Sequence, residues 1–314
     1  MGSKTKIDWC DASWNPVTGC LHGCDYCYAR GIANRFGGHK RGEIKDIMTP
    51  NGEIARVELV AVELTEPMRR NEDMGSGLMR VGPIIPYPYD FLPTFHRYKL
   101  EEPQHWKKPR SIFVCSMADL FGEWVPDEWI KAVFDACEAA PQHRYLFLTK
   151  DPGRYCDLER AGILPSGDNY WFGATYDHSN WMGHDGPHKI PGRPTTFELN
   201  GMKVHDAGDF WFPGMFWKNS YKSYLEVAHG EPRNSFVSFE PLLYDIGAHI
   251  GSSGGDWLII GAETGNRKGK AICKREWVEH IVEYADRSGK PVFMKESLRG
   301  IMGEDFRQEL PWED

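Results

Sequence analysis

The sequence predicts an α/β fold: a (β/α)8-like barrel of TIM type, complete or partial, with parallel strands and two insertions. Three observations predict it. Short apolar runs recur along the chain, each strand-length and rich in β-branched or aromatic residues. Amphipathic helical stretches stand between several of them, which is the alternation of a parallel sheet. The loop after the first expected strand carries cysteines, where an open doubly wound sheet would usually carry a glycine-rich phosphate loop.

The strands come in order. An opening strand is expected within residues 6–15, just before the cysteine loop. YDFLPTF (89–95) is a second candidate. SIFVC (111–115), RYLFLT (144–149), YWFGAT (170–175), SFVSF (235–239), WLIIG (257–261) and PVFMK (291–295) follow. Their near-continuous apolarity, without alternation, suits strands buried on both faces. The total is eight, the number a closed barrel requires.

Two helices are explicit. Over 126–141, Trp129, Ile130, Val133, Phe134 and Cys137 form one apolar stripe, opened by Pro126 and Asp127 and followed by Pro141. Over 274–291, Trp277, Val278, Ile281, Val282 and Ala285 repeat at helical spacing until Gly289 and Pro291 stop them.

Residues 1–314 read as one barrel domain interrupted at about 38–88 and 177–233. The first insertion holds an Asn51-Gly52 turn inside MTPNGEIARVELVAVEL, a hairpin signal. RRNEDMGSG (69–77) then reads as a loop and VGPIIPYP (81–88) as extended chain. The second insertion exceeds ordinary connection lengths and contains the aromatic run DFWFPGMFW (209–217). HWKKPR (105–110) precedes a strand and so belongs to the face of the barrel opposite the mouth.

The formal net charge of −8 argues against an overall electrostatic grip on nucleic acid, leaving room only for a local basic groove. No apolar run approaches the ~18 residues of a membrane helix. The start MGSKTKIDWCDASWNP lacks the apolar segment of a secretory signal. A cytoplasmic, reducing setting without membrane attachment is therefore expected. There, clustered cysteines mean metal or redox chemistry more often than disulfides.

Residues 20–27 read CLHGCDYC, with Cys20, Cys24 and Cys27 in a C-x3-C-x2-C pattern. A structural zinc ion wants four ligands, and Cys10, His22 or a distant residue would have to complete the set. Ordinary electron-transfer [4Fe–4S] clusters also take four cysteines. Three cysteines would leave one iron open to a substrate or cofactor. Cys115 and Cys137 read as small buried hydrophobes.

The triad, with Tyr26 just before the last cysteine, resembles the signature of the radical S-adenosylmethionine superfamily. WNPVTGC, CDYCYA, PTFHRYKLEEP, KKPRSIFVCSMADLFGEWVP, YLFLTKDPGRY, SFEPLL, WLIIGAETGNRKGK and PVFMKES resemble a phage-associated three-cysteine family within it, of unknown function. The resemblance covers roughly residues 6–300 apart from the insertions. It implies a [4Fe–4S] cluster on Cys20, Cys24 and Cys27, with S-adenosylmethionine chelated to the fourth iron. One electron, from a donor such as a flavodoxin or ferredoxin, would cleave the sulfonium to methionine and a 5′-deoxyadenosyl radical. That radical would abstract hydrogen from an unidentified substrate, with a nucleotide, nucleic acid or peptide as candidates; the alternative is a non-enzymatic metal-binding module, with zinc or iron–sulfur, or a cluster electron carrier. Tyr26 would lie against the adenine or the cluster.

Active sites of such barrels gather where strands end. The residues expected there are His96 and Arg97, Ser116 and Asp119, Lys150, Glu240, Glu263, and Lys295. S-adenosylmethionine offers a carboxylate, an ammonium and ribose hydroxyls to match them. Lys150 or Arg97 would face the carboxylate, and Glu240 or Glu263 the ammonium or ribose. His96, Ser116 and Asp119 complete the cofactor set, and Lys150, Glu263 and Lys295 are the candidates for catalysis. The Gly-Gly-Glu motif that many superfamily members place after the second strand is missing, its nearest look-alike being GAETG at 261–265.

Overall fold

A computed structural model describes residues 5–40, 44–48, 54–58, 61–73, 79–176, 196–199, 202–205, 234–247 and 255–313. The strands in chain order are β1 (Ala12–Trp14), β2 (Val17–Thr18), β3 (Ile44–Met48), β4 (Ile54–Glu58), β5 (Val62–Leu64), β6 (Arg69–Asp73), β7 (Met79–Ile84), β8 (Thr94–His96), β9 (Ser111–Val114), β10 (Arg144–Thr149), β11 (Tyr170–Thr175), β12 (Thr196–Leu199), β13 (Met202–His205), β14 (Asn234–Phe239), β15 (Trp257–Ile260) and β16 (Val292–Met294). Among the described residues the α-helices are α1 (Tyr28–Arg35), α2 (Asp127–Glu138), α3 (Gly153–Arg160), α4 (Arg275–Arg287) and the short α5 (Arg299–Met302).

Seven strands form one sheet in the order β1-β9-β10-β11-β14-β15-β16, every neighbouring pair parallel. Strand order follows chain order, as in a barrel. Side chains alternate between two apolar faces. On the outer face, Ile112, Val114, Tyr145, Phe147 and Phe172 pack with Trp129, Ile130, Val133 and Phe134 of α2 and with Tyr155 and Leu158 of α3. Further along, Val237, Phe239, Leu258, Ile260 and Met294 pack with Val278, Ile281 and Ala285 of α4. Each such fully buried aliphatic or Phe side chain contributes about 1.5–3 kcal/mol.

On the inner face, Trp9, Phe113, Leu146, Trp171, Phe236, Trp257, Ile259 and Phe293 form a single cluster. That cluster requires a curled sheet. In a flat sheet β14 would lie four strand spacings from β1, about 19 Å. The ring of Trp9, which leads into β1, is nevertheless 6.0 Å from Phe236 of β14 and 6.2 Å from Trp257 of β15. The two edges are also linked: the Glu296 N–H, just past β16, donates to Asp8 Oδ2 at 2.9 Å. The architecture is thus a partial TIM-type barrel, of seven strands among the described residues.

The expected eighth strand does not join this sheet. β8 pairs antiparallel with β2 and parallel with β5 in a small separate sheet. Its approach is a tight turn, with Asp90 at φ 54° and the Leu92 N–H on the Tyr89 carbonyl, followed by Pro93. Residues 89–92 therefore cannot run straight as a strand. Consequently β1 pairs directly with β9.

In the first insertion β3 and β4 pair antiparallel, as the hairpin signal predicts, though Asn51 and Gly52 lie outside the described residues. Of the stretch read as a loop, residues 69–73 differ, forming β6 paired antiparallel with β7, and residues 74–77 lie outside the described residues. In the second insertion β12 and β13 form a further antiparallel pair, and residues 209–217 lie outside the described residues. Among the described residues no helix is long and apolar enough to cross a membrane.

Candidate metal centre

The cysteine loop leaves the sheet at the mouth formed by the strands' C-terminal ends. Gly19 turns the chain at φ +87°, where a Cβ would stand 2.3 Å from the Leu92 carbonyl oxygen. Only glycine accommodates both the angle and that approach. The Gly19 N–H then donates to the Met117 carbonyl at 2.9 Å, and the Cys20 N–H to the Phe91 carbonyl at 3.1 Å. Gly23 takes a second positive φ, +76°. Cys27 caps α1, its Sγ accepting the Arg30 N–H at 3.4 Å.

The three thiols are half-buried. Cys20 and Cys27 pack beside Ala29, Ala33, Phe91 and Met117. Burial first, then the Asp119 carboxylate, and then Cys24 and Cys27 push the Cys20 thiol up to about 12. Cys24 and Cys27 thus both act electrostatically on Cys20. Such a thiol is a poor free thiolate and a suitable donor to a centre carrying several positive charges. Three soft thiolate donors fit iron–sulfur or zinc chemistry. Among the described residues no three His, Cys, Asp or Glu side chains stand ready-spaced around a single ion. Cys10 lies against the inner aromatic cluster, with Sγ 3.8 Å from the Ile7 carbonyl.

Between the cysteines sit residues that tie the loop to the sheet. His22 Nε2 donates to Asp119 Oδ2 at 2.7 Å, and the His22 and Trp124 ring centroids are 4.9 Å apart in a T-shaped arrangement. Lys150 Nζ donates to the Tyr26 hydroxyl at 2.9 Å and lies 5.2 Å from the Tyr26 ring centroid. The Tyr28 hydroxyl donates to the Ser116 carbonyl at 2.9 Å. Ser116 Oγ in turn donates to Asn15 Oδ1 at 3.2 Å, which also accepts the Met117 N–H at 2.9 Å. Burial alone would raise the Asp119 carboxyl; hydrogen bonds from His22, the Lys150 N–H and Thr149 outweigh it and hold the group below its ordinary value.

Across the mouth, Lys295 Nζ, just after β16, is paired with Glu240 Oε1, just after β14. Gly261 lies against both side chains: a Cβ there would stand 3.0 Å from Lys295 and 3.2 Å from Glu240. Glu263 is committed elsewhere. Its carboxylate takes Arg267 Nε at 2.6 Å, Arg267 Nη2 at 2.8 Å and the Ala271 N–H at 2.9 Å, closing the loop after β15 on itself.

The structure thus brings Tyr26 to Lys150, Ser116 to Tyr28, Asp119 to His22 and Glu240 to Lys295. His96 and Arg97, at and just after the end of β8, belong to the small sheet and not to the barrel sheet. His96 is fully buried, with Nε2 on Thr18 Oγ1 at 2.9 Å and Nδ1 on the Tyr98 hydroxyl at 3.1 Å. Arg97 pairs with Glu63 at 2.5 Å and covers Phe95. Sequence reading missed the anchoring parts of His22, Asn15 and Tyr28. The available signal was that His22 and Tyr28 lie within or beside the cysteine triad.

Solved structures with a similar course include spore photoproduct lyase in complex with dinucleoside spore photoproduct, at 11% identity, TM-score 0.47, covering 94% of this chain and 79% of that one. A mutant of the same enzyme with that dinucleoside is 10% identical, with the same TM-score and coverage. Another mutant reaches TM-score 0.45 at 10% identity, covering 93% of this chain and 78% of that one. No curated protein sequence matches. The model of one family, described as a protein of unknown function (DUF5131), matches residues 4–78 and 87–188, more than half of the 314 residues, and the chain belongs to that family.

Proposed function

We propose that this chain is a radical S-adenosylmethionine enzyme acting on an unidentified substrate, built as one barrel domain with two insertions. The observation that carries the reading is the placement of Cys20, Cys24 and Cys27 on one loop at the C-terminal mouth of a curled parallel sheet. In this reading the three thiolates hold a [4Fe–4S] cluster and leave one iron for S-adenosylmethionine. When bound, the pair supplies one-electron reductive cleavage to a 5′-deoxyadenosyl radical, which takes hydrogen from the substrate.

The chain's own residues bind, orient and exclude water. Tyr26 carries an aromatic face within the loop, held by Lys150. Lys295 and Glu240 present an ammonium and a carboxylate at the mouth, complementary to the carboxylate and ammonium of the methionyl group. Glu263 acts indirectly, keeping the loop after β15 in place through Arg267. An external one-electron donor of the flavodoxin or ferredoxin kind reduces the cluster. A reducing, cytoplasmic setting suits a cluster of three thiols kept for a metal centre.

The test is anaerobic incubation of the reconstituted protein with S-adenosylmethionine and dithionite. 5′-Deoxyadenosine appears with the wild type and not with Cys24→Ala. Reversible reduction without 5′-deoxyadenosine would identify an electron carrier instead.

A further inference from the structure

The cysteine loop alternates two kinds of residue. Cys20, Cys24 and Cys27 are the candidate ligands; His22, between the first two, and Tyr26, between the last two, reach back to the sheet. Both connections converge on Asp119, which is 5% exposed. Its Oδ2 accepts His22 Nε2–H at 2.7 Å and the Lys150 N–H at 2.9 Å. Its Oδ1 accepts the Phe121 N–H at 3.0 Å and Thr149 Oγ1–H at 2.8 Å. A carboxylate has about four acceptor sites, so Asp119 has none left for a ribose hydroxyl or an ammonium. The Lys150 it holds by the backbone is the residue whose Nζ grips Tyr26.

Resting on the reading that the triad holds an iron–sulfur cluster, we propose that Asp119 is a positioning residue for that cluster. It fixes the Cys20–Cys24 half of the loop through His22 and the Cys24–Cys27 half through Lys150 and Tyr26. It touches neither cofactor nor substrate. The loop is held by this carboxylate before any metal arrives, so the orientation of the ligands, and with it the electrostatics around the cluster, depends on a residue 97 positions away from His22.

The experiment compares the full-length wild type, His22→Gln and Asp119→Asn, anaerobically reconstituted with iron and sulfide. The readouts are the cluster's midpoint potential and electron paramagnetic resonance spectrum, and amide hydrogen exchange over residues 19–28 of the metal-free proteins. Both variants shift the potential in the same direction and alter the spectrum. Loop exchange rises about tenfold, the ratio expected for losing one charge-assisted hydrogen bond, while exchange in α2 and α4 stays at wild-type rates. The double variant is no worse than Asp119→Asn alone. His22 is partly exposed, so His22→Gln carries the test if Asp119→Asn does not fold. A wild-type potential and spectrum in His22→Gln overturns the proposal. If the wild type takes up no iron, the cluster reading falls and exchange alone decides: accelerated loop exchange in His22→Gln upholds the anchoring, and unchanged exchange overturns it.

Discussion

Lys295 and Glu240 are paired across the barrel mouth, although β15 lies between the strands that carry them. Both side chains are about three-quarters buried, so losing one leaves the other partly desolvated and unpaired. Lys295→Met and Glu240→Gln each lower 5′-deoxyadenosine formation by at least about tenfold, as removal of a charge aimed at a bound ligand does. A double-mutant cycle in urea unfolding returns a coupling of about 1 kcal/mol. Wild-type turnover in Lys295→Met would remove the pair from the site.

Gly19→Ala is costly and Gly31→Ala is not. A Cβ on Gly19 collides with the Leu92 carbonyl at a positive φ, whereas at Gly31, inside α1, it meets nothing within 4 Å. Gly19→Ala loses at least about 2 kcal/mol and fails to retain iron. Gly31→Ala is neutral or gains up to about 1 kcal/mol. Denaturant midpoints and iron content decide both, and equal midpoints for the two variants would contradict the loop geometry.

The C-terminal tail closes the end of the barrel opposite the mouth. Trp312 lies 5.4 Å from Trp171 and 5.2 Å from Trp257, with the Arg144 guanidinium 4.1 Å from its ring centroid. Trp312→Ala costs about 2–4 kcal/mol in chemical denaturation, from lost aromatic packing and the cation–π contact. A loss under about 0.5 kcal/mol would show that the tail does not plug the barrel.

His96 gives stability a pH slope. Burial first, and then Lys99, lower its pKa from 6.5 to about 3. Below pH 6.5 the unfolded chain binds a proton that the folded chain refuses, so this stability is whole above pH 6.5 and is lost as pH falls toward 3. The slope is up to about 1.4 kcal/mol per pH unit. Urea unfolding of the metal-free protein between pH 7 and pH 4.5 shows it, and His96→Gln removes about one proton from the linkage. The same slope in His96→Gln would exclude His96 as its source.

The sheet was legible because burial on both faces leaves an unbroken apolar run, as in YWFGAT and WLII. The helices α2 and α4 were legible for the converse reason, one stripe each facing the sheet. α1 was not: Tyr28 and Ile32 in it and Phe36 at its C-cap are 57%, 39% and 50% exposed, so the repeat marks the outer side. YDFLPTF has strand composition but is bent at Asp90, a backbone choice that composition does not show. The curl of the sheet rests on Trp9, whose partners lie more than 200 residues away in Phe236 and Trp257. At the site, spacing singled out the cysteines and strand ends singled out Asp119, Lys150, Glu240 and Lys295. Their pairings were not legible, since Asp119 reads as a generic polar residue until His22 is folded against it.

The central claim is that three sulfurs hold a four-iron cluster with one iron open. Metal and sulfide analysis of the protein reconstituted and desalted under strict anaerobiosis tests it most directly. About four iron and four sulfide per chain, falling away in Cys20→Ala, Cys24→Ala and Cys27→Ala but persisting in Cys10→Ala, is the predicted result. One zinc per chain with no iron, or a fourth cysteine needed for iron retention, would contradict it.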